Sequence, residues 1–329
     1  MKKIILTTIL FLSLVTHIYA SEKNNSNNLD IFTLKNGIPV YLLPNKANRI
    51  DFLSISVRGG TLYLDEEHSG LENVLFSMMS EESKNFSRDE ILSHKYESRS
   101  YITGRAGSLN ASLSMTCIDT YFEKNLAILT DCFLSPKLDK RQWEIKLNDY
   151  RQSLQQEMND PESMMFYFAN QLIYQNHPLN VKSTPTVESV YNLKYEDMLD
   201  LHKKEMDPRR ILIIAVTNFD TASLLDYLNN TLGNLSIPDT EIKSSVIPPL
   251  EALPNDTLAL THPSCGESGH VARAVLAESV TGKDYMAFLL AELIYNKIMY
   301  SVIRGKYGAC YTPYVTSYGN QANVAFEMI

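Results

Sequence analysis

Residues 209–219 read RRILIIAVTNF, a continuous apolar run typical of a strand buried inside a sheet. Such a strand needs neighbours, and the N-terminal part of the chain supplies them. DIFTL (30–34) and IPVYLLP (38–44) flank Asn36-Gly37, a strong two-residue turn signal, and so read as a hairpin. FLSISVRGG (52–60) alternates apolar and polar positions and is a third strand. YITGRAG (101–107) and SLNASLSMTCIDTYF (108–122) read as paired strands. In the second of these Leu109, Ala111, Leu113, Met115 and Cys117 share one face.

Helices fill the gaps. HSGLENVLFSMM (68–79) opens with a turn and continues as an amphipathic helix. Ser87 with Glu90 three residues on is a capping box, and opens a second helix reaching Tyr96. From Asp119 to about Tyr174 the pattern is helical, broken at Ser135-Pro136 and Asp160-Pro161. A helix from Tyr195 to Glu205 precedes the apolar strand, and another from Thr221 to Leu232 follows it, closed by Gly233. The order predicts an α+β fold, one antiparallel-rich sheet with helices packed on one face. Pro238, Pro248, Pro249 and Pro254 mark 236–256 as a linker after a first domain at 30–235. Beyond it come a strand near Leu258, the strand HVARAVLAE, a long helix from Asp284 to about Arg304, and the strand-like YTPYVTSY and QANVAFEMI. The second unit, 257–329, reads as a sheet layer without the helices that would finish its core, hence as an incomplete domain.

The chain has 329 residues, 44% of them hydrophobic, and a net charge of −8. An acidic chain without a basic stripe is a poor nucleic-acid binder. At the N-terminus Lys2 and Lys3 precede an apolar run from Ile4 to Val15, and Ile18-Tyr19-Ala20 follows. This reads as a secretory signal at 1–20, cleaved after Ala20, with an uncleaved anchor as the alternative. SEKNNSNN continues it as a disordered leader over 21–29. No other segment reads as a membrane helix, so the mature chain is expected to be exported, to the periplasm or outside the cell. Cys117, Cys132, Cys265 and Cys310 form no CxxC pair, and either buried thiols or disulfides fit an exported chain.

The succession of Asn36-Gly37, Gly59-Gly60, Gly70-Leu71, Asn110-Ala111, Asn159-Asp160-Pro161, His177-Pro178 and Arg304 with Tyr311 resembles the insulinase/pitrilysin family of zinc peptidases, peptidase family M16. The resemblance runs from about Asp30 to the end. It implies a pair of similar α+β domains enclosing a chamber, of which the second is here incomplete. Active members carry His-x-x-Glu-His on the first helix, soon after Gly-Leu. Two His at i and i+4 hold Zn²⁺ from one helical face, the Glu activates the bound water, and a distal Glu completes the ligand set. Laid over this chain, the first His position falls on Asn73, the Glu on Phe76 and the second His on Ser77. The distal Glu position falls within RQSLQQE (151–157), near Leu154 to Gln156 and close to Glu157. Phe cannot take a proton and Ser is a poor zinc ligand. The pairs His68/Glu72 and His94/Glu97 lack a second His, and His177 before Pro178 reads as structural.

VIRGKYGACY (302–311) places Arg304 seven residues before Tyr311. On the residues alone, these are a helix C-terminal cation and a strand aromatic. The resemblance implies that they contact the substrate backbone and the carbonyl under attack. It also implies that SLNASLSM, with Asn110 and Ala111, is an edge strand that pairs with extended peptide; the alternative is an ordinary sheet strand. Together these features point to the non-catalytic, substrate-binding subunit of a heterodimeric zinc peptidase acting on unfolded peptides. No metal is expected in this chain, and zinc is expected in the partner subunit. Two other readings are a stand-alone peptide-binding or structural protein of the same fold, and an active metalloendopeptidase with an atypical zinc site.

Overall fold

The computed structural model of the chain describes residues 29–242, 247–250, 253 and 257–317, and the backbone of 324–328. The expected signal at 1–20, nearly all of the leader and part of the linker lie outside the described residues. The first unit is a six-stranded sheet in the order β1-β2-β6-β3-β5-β4. Its strands are β1 (Asp30–Thr33), β2 (Pro39–Pro44), β3 (Ile50–Arg58), β4 (Tyr101–Ala106), β5 (Asn110–Ile118) and β6 (Ile211–Thr217). The β2–β6 pair is parallel, and the other four are antiparallel. Its helices are α1 (Leu71–Met79), α2 (Arg88–Ser98), α3 (Phe122–Leu134), α4 (Lys140–Met158), α5 (Pro161–Ile173), α6 (Ser189–Asn192), α7 (Tyr195–Glu205) and α8 (Thr221–Asn230). The fold is α+β.

Local signals explain most of these boundaries. Gly37 takes φ 92° in the β1–β2 turn. The amide of Asn36 donates to the carbonyls of Leu232 and Leu235, tying this hairpin to the far end of α8. Ser87 and Glu90 form the complete capping box of α2. Asp160 caps α5 through the Ser163 N–H, with Pro161 in the first turn. Gly233 does not close α8. The helix stops at Asn230, where the Thr231 hydroxyl donates back to Tyr227, and Gly233 lies in a short 3₁₀ turn beside the carbonyls that serve Asn36.

The core is one layer between sheet and helices. Leu53, Ile55 and Val57 of β3 face it, beside Ala111, Leu113 and Met115 of β5 and Ile211, Ile213 and Ala215 of β6. The apolar run of β6 is therefore not enclosed on both faces. Ile214 is 37% exposed, because the helices cover a single face. On the other face, Ile214 sits in register with Ser54, Ser114 and Thr103.

The sheet edge differs from the sequence expectation. Asn110 and Ala111 begin β5, which lies between β3 and β4: Asn110 pairs with Arg58, and Ala111 with both Val57 and Ala106. SLNASLSM is an interior strand, and the outer strand beside it is β4, with β1 at the other end of the sheet. Gly104 makes the β4 edge possible. A Cβ there would sit 1.7 Å from the Phe76 carbonyl oxygen, so β4 rests directly on the backbone of α1.

The second unit is a three-stranded antiparallel sheet, β7 (Ala272–Leu276), β9 (Val324–Met328) and β8 (Tyr314–Ser317), with β9 in the middle. Residues 257–262 form no strand. β7 takes β9 as its partner, and the segment around Leu258 runs along α5 instead. Helix α9 (Tyr285–Met299) continues as a π-helix, Tyr300–Lys306. Contrary to the sequence reading, Tyr285–Lys306 is long and apolar enough to cross a membrane by length and composition. It carries a polar stripe: Asn296 exchanges two hydrogen bonds with the Val315 backbone, and Glu292 accepts from Ser317, so one face lies on β8. The opposite face exposes Met286, Leu290 and Leu293.

Gly104→Ala is expected to cost about 2 kcal/mol, since neither backbone can yield easily. An unshifted urea midpoint would show that β4 does not seat on α1.

Candidate functional site

Helix α1 starts at Gly70, whose φ of 83° and lack of a Cβ let Pro185 pack against it; a Cβ would meet the Pro185 nitrogen at 2.0 Å. The Gly70 N–H donates to the Lys182 carbonyl, and the Ser189 hydroxyl to that of Ser69. The start of the helix is thus pinned by 182–189. Leu71, Val74, Leu75, Phe76, Met78 and Met79 are all buried. Asn73 and Ser77, one turn apart, occupy the half-exposed face.

The three positions that the sequence resemblance sets against metal ligands and base are filled as follows. The Asn73 Oδ1 accepts a 2.8 Å hydrogen bond from the Tyr150 hydroxyl on α4. Burial raises the Tyr150 pKa, which keeps the phenol protonated as the donor. Phe76 is 0% exposed, part of the core. Ser77 opens into a groove against α2 and β4. On α4, Leu154 packs against the core, while Gln155, Gln156 and Glu157 face solvent. These residues do not fit a zinc ion: the one amide oxygen is engaged, the middle position has no ligand atom, and among the described residues no carboxylate joins them in a metal-ligand cluster. Among the described residues no three His, Cys, Asp or Glu side chains converge on a common point. His68 pairs with Asp65 and Asp197, and the His177 ring bridges the Pro248 carbonyl and the Leu179 N–H. Cys117 and Cys132 are buried thiols, both pushed up to about 12 by burial, and Cys265 and Cys310 are free and half-buried.

Arg304 and Tyr311 come together. The guanidinium carbon lies 3.9 Å from the centre of the Tyr311 ring and 4.9 Å from that of Tyr300, and Nη1 donates to the Tyr311 carbonyl at 3.2 Å. Tyr311 is 77% exposed, so its hydroxyl is presented to solvent. Asn110 and Ala111 join no such arrangement.

A buried charge cluster at the base of α1 went unseen in the sequence. The Arg210 guanidinium holds both carboxylate oxygens of Glu205, at 3.2 and 3.1 Å, donates to the Lys204 and Arg58 carbonyls, and stacks 4.1 Å from the Tyr63 ring centre. Gly59 makes room for it, since a Cβ there would strike the Tyr63 ring and Arg210. Glu72 lies beside this pair, 2% exposed, and its Oε2 has no hydrogen-bond partner among the described residues. Desolvation, with Glu205 nearby, raises the Glu72 pKa well above the carboxylate range, Arg210 opposing. Burial also raises Glu205, and Arg210 pulls it back. Burial thus weighs against ionisation of Glu72 more than of Glu205, which the Arg210 guanidinium holds directly. The sequence signal for this cluster was the polar Glu72 amid the apolar positions of α1.

Two clefts adjoin these elements. One of about 310 Å³ lies along the β4 edge between α1 and α2, with Ser77, Lys95 and Arg105 in its wall. The other, about 820 Å³, lies between α5 and residues 257–274, with Met164, Leu172, Leu258 and Leu260 in its wall.

Fold and site together define an α+β protein whose helix α1 joins no metal-ligand cluster among the described residues. Residues 192–328 match the family model described as the peptidase M16 inactive domain. The crystal structure of a peptidase M16 inactive domain from Pseudomonas fluorescens is similar with a TM-score of 0.78 at 15% identity, covering 92% of this chain and 73% of that one. A protease from Helicobacter pylori gives 0.73 at 14% identity, over 92% and 74%. The periplasmic protease PqqL from Escherichia coli gives 0.65 at 11%, over 92% of this chain but 35% of that one. Among curated proteins none matches the sequence. The chain thus has the fold of the M16 peptidases and resembles that family in its non-catalytic type, with the inactive-domain match at 192–328.

The charge cluster sets a pH dependence. An acid whose folded pKa is raised costs stability as pH climbs past its unfolded value, and costs nothing well below it. Glu72→Gln, which mimics the protonated form, is expected to raise stability by ~1–3 kcal/mol at about pH 8 and to leave it nearly unchanged at about pH 4. Urea midpoints at the two pH values check this. A loss at the higher pH would mean that Glu72 is ionised and held by Arg210.

Proposed function

We propose that this chain is the non-catalytic, substrate-binding subunit of an exported heterodimeric M16-type zinc peptidase acting on unfolded peptides. The observation that carries the reading is an asymmetry. The α1 face that holds Asn73, Phe76 and Ser77 offers neither zinc ligand nor base, while the Arg304–Tyr311 pair is assembled and exposed. In this reading the partner subunit supplies His-x-x-Glu-His and its zinc, and this chain supplies binding. Arg304 gives fixed donors for a peptide carbonyl, and the Tyr311 hydroxyl a hydrogen bond for a developing oxyanion. The open β4 edge gives backbone donors and acceptors to an extended substrate. Export fits the N-terminal Lys2-Lys3 and the apolar run after it, and a periplasmic protease of the same fold exists. The β4 edge also serves a stand-alone peptide binder, which would form no composite site.

Purification of the tagged mature chain from its native envelope is expected to bring down a stoichiometric partner bearing His-x-x-Glu-His. In that complex Arg304→Ala should lower peptide turnover at least ~10-fold without dissociating the subunits. Unchanged turnover would remove the substrate role of Arg304, and a clean monomer would remove the heterodimer. The isolated chain is expected to bind no stoichiometric zinc by metal analysis.

A further inference from the structure

The β4 edge has a chemical bias. The hairpin closes with the Gly107 N–H donating to the Asn110 carbonyl. Strand alternation then turns the backbone groups of Tyr101, Thr103 and Arg105 toward β5, and those of Ile102, Gly104 and Ala106 outward. One outward group is already engaged: the Ile102 carbonyl accepts from the Lys95 ammonium of α2 at 3.0 Å. Lys95 and Arg105 both line the groove that runs along this edge, with Ile91 and Ile102 as its apolar floor. Its one carboxylate, Glu81, is spoken for by Arg88 at 3.0 Å and Lys146 at 2.6 Å. Three cations, Arg88, Lys95 and Arg105, and one carboxylate thus line the groove, on a chain whose net charge is −8.

An extended peptide laid on β4 would bring a backbone N–H to the Ile102 carbonyl and displace Lys95 from it. The released ammonium then needs an anion, and a carboxylate in the groove provides one without leaving a half-buried charge unpaired. We propose that the β4 edge selects extended peptides carrying an acidic side chain, with Lys95 and Arg105 as its specificity-determining cations. This rests on the reading that the chain binds unfolded peptide.

The test uses the full chain and three labelled peptides of about eight residues, identical but for Glu, Gln or Lys at the centre, read by fluorescence anisotropy. The Glu peptide is expected to bind roughly fivefold tighter than the Gln peptide, with the Lys peptide weakest, and the spread should shrink with added salt. The double variant Lys95→Gln/Arg105→Gln should still bind all three but no longer rank them. Two successive prolines beside the central Glu should abolish binding, because in either register one of them removes a ladder N–H. Equal affinities for the three peptides would overturn the acidic preference while leaving peptide binding intact. Tight binding of the proline peptide would overturn the edge pairing. No binding of any peptide would overturn both this inference and the reading beneath it.

Discussion

The guanidinium of Arg210 organises the first unit. Its N–H groups reach β3 through the Arg58 carbonyl, the C-terminal turn of α7 through Lys204, and both oxygens of Glu205. A buried ion pair of this kind adds little net stability over an apolar pair of the same volume, but a half-broken one is costly. It therefore acts as a register lock. The placement of β3 and α7 in the fold lets it make these four hydrogen bonds together. Gly59 follows from it, because no side chain fits between Arg210 and the Tyr63 ring. Gly60 follows in turn: it is pressed against the β4–β5 loop, where a Cβ would meet the Gly107 carbonyl at 2.4 Å. The position of the edge hairpin is thus inherited from one buried charge.

Helix α1 is given over to packing and support. Phe76 fills core volume, and the Asn73–Tyr150 hydrogen bond closes the face toward α4. The half-buried Tyr150 phenol finds its partner in Asn73. The helix has a further duty: its backbone at Phe76 is the surface on which Gly104 seats the edge strand. Side-chain packing and support of β4 are separable at Phe76, because the ring fills the core while the backbone carries Gly104.

What was legible in the sequence were features with local signals. Asn36-Gly37, the Ser87–Glu90 box and Asp160-Pro161 each fix a boundary within a few residues, and all three stand as read. The sheet edge was misplaced because β4 and β5 are two arms of one hairpin, and alternation in β5 looks the same in the interior as at an edge. Which arm β3 joins is decided by contacts across some sixty residues of chain (Leu53 with Met115, for instance), which no local pattern encodes. The β6 run misled for the opposite reason. Apolar–polar alternation is absent there, since Leu212, Ile214 and Val216 are apolar although their face is only partly covered. Tyr150, Glu205 and Arg210 were invisible as site residues, because each acquires its meaning from a partner on another element.

An open edge strand is a hazard, since it offers its unpaired groups to any extended chain. Here the hazard and the specificity share one contact. Lys95 occupies the Ile102 carbonyl and lays a charge along the edge, which disfavours casual pairing with apolar strands. A strand that merely supplies an N–H gains one hydrogen bond and strands an ammonium in a groove already rich in cations. A strand that brings a carboxylate as well satisfies both at once. The edge is therefore guarded against most sequences and open to a subset, and the guard needs no moving lid, only the exchange of one partner for another at a single lysine.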